Sequence, residues 1–106
     1  MAHARIGMHT SLWTAEWTRE SAELAVSEAA EHKLEVLEIA LLSPTSIDAP
    51  HSRKLFEKHG IAPSGSLCLP LDQTAALAPE KAERFLMAAL EKGHELGCKI
   101  LGGLTY

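Results

Sequence analysis

Apolar positions along the chain fall into four short runs separated by longer amphipathic stretches. The runs are "RIGMHTSLW" (5–13), "EVLEIALL" (35–42), "IAPSGSLCL" (61–69) and "CKILGGLTY" (98–106). Each has the length and bounding residues of a buried strand. Between them the period changes. Ala22, Ala25, Val26, Ala29 and Ala30 recur at helical spacing behind Thr18, a suitable N-cap, and predict a helix to about Lys33. Asp48 followed by Pro50 starts a second helix, through Leu55 to about His59, with Gly60 at its stop. Pro79 opens a third, "PEKAERFLMAALEKGHEL", with Ala82, Phe85, Leu86, Ala89 and Leu90 facing inward and Gly97 closing it.

Four strands alternating with three helices define an α/β fold, in which right-handed crossovers demand a parallel sheet. Two architectures accept this order: an open doubly wound sheet, or the first half of a (β/α)8 TIM barrel. The segment after the first strand, "TAEWTRES", contains no glycine, so neither a dinucleotide fingerprint nor a phosphate-binding loop is present. A barrel instead gathers functional side chains at the carboxyl ends of its strands, where His9, Trp13, Trp17, Glu38, Ser66, Cys68 and Tyr106 fall. On this reading Met8, Leu37, Ile39, Leu67, Leu69 and Leu101 point toward the barrel interior.

Length and composition narrow the function. The 106 residues suffice for one domain, and 46% apolar content supports a core. A formal charge of -4 without a basic stripe argues against nucleic acid. No apolar run approaches the roughly 20 residues that cross a bilayer, and the amino terminus lacks a signal pattern, so a cytoplasmic protein with no membrane partner is expected. Cys68 and Cys98 have no Cys-x-x-Cys context and read as reduced, semi-buried thiols. His3, His32, His51, His59 and His94 lack ligand spacing to one another, so no metal site is expected from them; only His9 lies on a strand aimed at the barrel mouth. Glu38, inside an apolar run, needs a partner if buried, which suggests a supporting role in the barrel interior or a solvated strand end.

"IGMHTSLWTAEW", "LEVLEIALL" and "LGCKILGGLTY" resemble, in order and over essentially the whole chain, the opening half of the sugar-phosphate isomerase and epimerase superfamily. These are xylose-isomerase-like TIM barrels, and the nearest branch is the ketose 3-epimerases that act on tagatose and psicose. Trp-x-x-x-Trp after the first strand and the glycine pair in the fourth carry most of the likeness. The resemblance implies that His9, Trp17, Ser66 and Leu104 contact the far end of a ketose or sugar phosphate, with the Trp17 indole against a C–H face and Trp13 packed at the mouth. His9 departs from the aromatic residue usual at its position. The resemblance further implies a divalent metal, manganese or cobalt, held by two glutamates, an aspartate and a histidine of later strands, the glutamates also moving the C3 proton. Residues 1–106 are then a single partial barrel domain that supplies recognition, carries no catalytic residue or metal ligand, and is inactive until a carboxyl-terminal half complements it. Two rivals remain at this level. One is a non-catalytic half-barrel or flavodoxin-like module that forms a homo-oligomer through its open strand edges. The other is a barrel fragment with endonuclease-type chemistry, which the acidic charge disfavours.

Overall fold

The computed structural model describes residues 4–104. Strand β1 (Gly7–His9) leads through a 3-10 turn, Thr10–Leu12, to helix α1 (Arg19–Glu31). Strand β2 (Val36–Ala40), a second 3-10 turn at Pro44–Ser46 and helix α2 (Ala49–His59) follow. Strand β3 (Ala62–Cys68), helix α3 (Pro79–Leu96) and strand β4 (Leu101–Leu104) complete the order.

The helix ends sit where local chemistry puts them. The Thr18 hydroxyl accepts the Ser21 amide at 3.1 Å, while the Ser21 hydroxyl accepts the Thr18 amide at 2.7 Å, so two otherwise orphaned donors are satisfied reciprocally. Asp48 caps α2 through the His51 amide at 3.1 Å. Gly60 and Gly97 close α2 and α3 in left-handed conformation, at φ 67° and 87°. The first strand is the exception. It stops at His9 rather than reaching Trp13, because the imidazole of His9 caps the following turn and bends the chain away. Pairing continues through a side chain: the buried Thr10 accepts the Ala40 amide on its hydroxyl at 3.4 Å.

All strand pairs are parallel and the sheet order is β1-β2-β3-β4, the same as the chain order. A flavodoxin-like sheet would place the first strand between the second and third, so that alternative and the doubly wound one both fall. Sequential order is that of a barrel, and the fold is the amino-terminal part of a TIM barrel.

The helices share one face of the sheet and bury a single apolar cluster there. Ala22, Ala25, Val26 and Ala29 of α1, Phe56 of α2, and Ala82, Ala89 and Leu96 of α3 meet Leu37, Ile39, Leu41 and Leu67 from the strands. This corrects the sequence expectation for Leu37, Ile39, Leu67 and Leu69, which pack against the helices rather than line the concave face. Strand side chains alternate, so Leu37 and Glu38 cannot share a face; burying the carboxylate beneath the helices would cost several kcal/mol, on the order of the penalty for an unpaired buried charge. Met8 is exposed at the β1 edge and Leu101 is only partly covered. On α3, Leu90 turns outward with half its surface exposed, while Gly93 and Leu96 complete the inner stripe instead.

Candidate functional site

The concave face is lined by the other set of strand residues. His9 lies level with Glu38, Glu38 with Ser64, Ala40 with Ser66, and Ser66 with Gly102. Across this surface His9 Nε2 stands 3.2 Å from Ser66 Oγ and 3.9 Å from Glu38 Oε1. His9 and Ser66 belong to strands separated by β2, so their contact requires the sheet to curve toward this side, as barrel closure demands. Ala40, level with Ser66 on the intervening strand, carries only a methyl group and leaves the path open. His9, Ser66 and Glu38 thus form one polar group.

Serine, histidine and carboxylate invite comparison with a nucleophilic triad, but the geometry is wrong for one. A triad holds the carboxylate on one ring nitrogen and the serine on the other. Here both approach Nε2, while Nδ1 accepts the Ser11 amide at 3.0 Å. Glu38 and His9 remain open to a ligand, their side chains 46% and 37% exposed. The arrangement is suited to binding hydroxyl groups. Sequence reasoning missed Ser11, although a serine two residues after a strand-end histidine is a recognisable capping pattern.

Trp17 sits apart from this group. It is 8% exposed, its Nε1–H donates to the Ser52 hydroxyl at 2.9 Å, and its ring lies parallel to Phe56 with centroids 6.2 Å apart. Both partners are on α2, so the indole ties the β1–α1 loop to that helix. The remaining surface of Trp17 helps line a cleft of about 700 Å³ with Glu16, Arg19, Ala40, Ser43 and Ile47 at the carboxyl end of β2. Lys92 of α3 supports the far wall, its Nζ donating to the Ile47 carbonyl at 2.7 Å. Trp13 packs against the core. Leu104 ends β4 opposite Cys68, and Tyr106 lies outside the described residues. The glycine pair divides its work. Gly103, at φ 148°, passes so close to Leu67 that a Cβ would strike its carbonyl, whereas Gly102 opens onto free space.

The two thiols differ from each other and in part from expectation. Cys68 is exposed rather than semi-buried, whereas burial pushes the Cys98 thiol up to about 11. Among the described residues no three His, Cys, Asp or Glu side chains gather around a point that could hold a metal ion.

The fold has counterparts among solved structures. The fold matches a D-allulose 3-epimerase from Methylomonas sp. with a TM-score of 0.90 and 27% identity, over 96% of this chain and 37% of the other. The chain is similar to the amino-terminal part of ketose 3-epimerases. In sequence it is 29% identical to a ketose 3-epimerase of Arthrobacter globiformis, over 96% of this chain, and 28% identical to an L-ribulose 3-epimerase of Methylomonas sp. (strain DH-1), over 94%. It spans about 37% of the length of these relatives. The Methylomonas enzyme in complex with D-allulose superposes with a TM-score of 0.89 and 26% identity. No family model matches the chain. No helix among the described residues is long and apolar enough to cross a membrane.

Proposed function

We propose that this chain is the substrate-recognition part of a ketose 3-epimerase, and that a ketose or sugar phosphate binds across its concave face. The observation that carries the reading is the convergence of His9, Ser66 and Glu38 from three strands on the concave face of the sheet, the side that a closed (β/α)8 barrel turns inward. In this reading Ser66 hydrogen-bonds a hydroxyl group at the end of the sugar remote from the reacting carbon, and His9, bonded to Ser66 through Nε2, lies against the same end and orients the Ser66 hydroxyl. Glu38 accepts from a further hydroxyl or steadies His9. Trp17 gives apolar area at the adjoining cleft. Leu104 ends β4, level with Cys68 of β3.

Epimerisation at C3 is proton removal next to a ketone and return on the opposite face, and it needs an acid, a base and stabilisation of the enediolate. The divalent ion implied by the resemblance, manganese or cobalt, does not fit the described residues: His9 and Glu38 are a pair, 3.9 Å apart, and no third ligand accompanies them. The proposal assigns proton transfer to groups of a carboxyl-terminal half and recognition to this one, in the cytoplasm. The test is a titration of the chain with D-allulose, followed by amide NMR shifts. Saturable shifts at His9 and Ser66, absent for Ser66→Ala and His9→Ala, are expected; a folded chain with no shift at either residue would overturn the reading.

A second reading rests on the sheet edges. Ile6 and Met8 at β1, and Ile100 before β4, are 65%, 41% and 71% exposed, with unpaired backbone beside them. We propose that a second copy or a complementing half-barrel pairs there. Sedimentation separates a dimer from a monomer, and a soluble monomer at high concentration would remove this reading.

A further inference from the structure

We propose that Ser11 is a positioning residue that holds the proton of His9 on Nε2, so that the imidazole enters the concave face as a hydrogen-bond donor. A backbone amide has a proton to give and no lone pair to offer, so the 3.0 Å contact from Ser11 N requires a lone pair on Nδ1. The Ser11 hydroxyl, 2.8 Å from the same nitrogen, must then also point its proton toward the ring. A neutral imidazole carries one N–H, which leaves it on Nε2. That nitrogen faces Ser66 Oγ at 3.2 Å and Glu38 Oε1 at 3.9 Å.

The assignment sets the polarity of the whole group. His9 Nε2–H donates to Ser66, so the Ser66 hydroxyl proton is free to turn toward a ligand. Beside it the Glu38 carboxylate only accepts. A donor next to an acceptor suits two neighbouring hydroxyls of a polyol, one accepting from Ser66 and one donating to Glu38. This consequence for the sugar rests on the ketose reading above; the position of the proton does not. The same contact that ends β1 by capping the 3-10 turn thereby orients the ring that serves the face.

The molecule carries its own control. His32 Nδ1 lies 2.8 Å from the Glu28 carbonyl oxygen, which can only accept, so His32 takes the opposite tautomer. Long-range 1H–15N correlation spectra of the full chain, recorded where both rings are neutral, distinguish the two forms. His9 is expected as the Nε2–H tautomer and His32 as Nδ1–H; a His9 proton on Nδ1 in the unsubstituted chain overturns the proposal outright. Ser11→Ala keeps the amide and should keep the tautomer, whereas Ser11→Pro removes the amide and should yield a mixture in a chain shown to be folded by circular dichroism. For the ligand, His9→Gln places an amide N–H near the Nε2 position, while His9→Asn keeps an acceptor facing Ser11 but is too short to bring its amide N–H to Ser66. D-allulose should bind His9→Gln about tenfold more tightly than His9→Asn, the worth of one well-placed hydrogen bond. Equal binding with the tautomer intact would reject the sugar consequence and leave the proton assignment standing.

Discussion

Leu37 and Ile39 leave β2 on one side, and Glu38 leaves it between them on the other. The helix-covered side is closed, with both aliphatic side chains fully buried in a cluster fed by all three helices. The concave side is open and polar, with His9, Glu38, Ser64 and Ser66 presented by three adjacent strands. Stability and recognition are therefore separated by a single step along the chain. Substitutions should sort by face rather than by residue type or by position along the sequence.

The largest effect is expected beneath the helices. Leu37→Ala should cost about 2–5 kcal/mol in chemical denaturation, the range for an aliphatic side chain deleted from a packed core, while neighbouring Glu38→Gln should change stability by no more than about 0.5 kcal/mol. A reversal of that ranking would break the comparison. The thiols give the next contrast. Raised from 9.0 to about 11, Cys98 holds about a hundredfold less thiolate at pH 8 than it would without burial, so alkylation should label the exposed Cys68 well before Cys98. Burial works against the charged form, so the Cys98 rate should keep climbing as pH rises past 9. Comparable rates at pH 8 would show that the helix-covered side opens.

Trp17 tests where the boundary between the faces runs. Trp17→Phe keeps an aromatic ring against Phe56 but leaves Ser52 without its donor, and should cost about 1–2 kcal/mol by thermal melting. A residue serving only a ligand would melt unchanged. The smallest effect belongs to Ser66→Ala, expected within about 0.5 kcal/mol of the parent in stability while removing one contact from any sugar on the concave face.

Much of this was legible in the sequence, and the reasons are local. Thr18, Asp48, Gly60 and Gly97 mark helix ends through short-range capping that depends on few neighbours, and Pro79 marks the start of α3. His9, Glu38 and Ser66 were legible as residues at the carboxyl ends of strands, and the fold brings their side chains together on the concave face. The facing of the aliphatic residues was less accessible. In a parallel sheet both faces of a strand can read as apolar, and in "EVLEIALL" only Glu38 betrays the alternation. Followed strictly, that one carboxylate assigns Leu37 and Ile39 to the helices. The Trp17 environment was not legible, because Ser52 and Phe56 lie 35 and more residues away in sequence. The Ser11 contact was available in principle, since it spans only two residues.

The coincidence of strand order with chain order bears on how the molecule is assembled. Among the described residues each strand after the first hydrogen-bonds to the one made immediately before it, so β2, β3 and β4 each meet a neighbour already synthesised. Growth on the ribosome can then proceed by accretion, every new strand and helix finding a ready-made neighbour. The Lys92 tether to Ile47 is a late arrival in such a sequence. Until α3 has settled, the turn after β2 lacks its brace, and the cleft beside Trp17 acquires its far wall only as that helix locks into place.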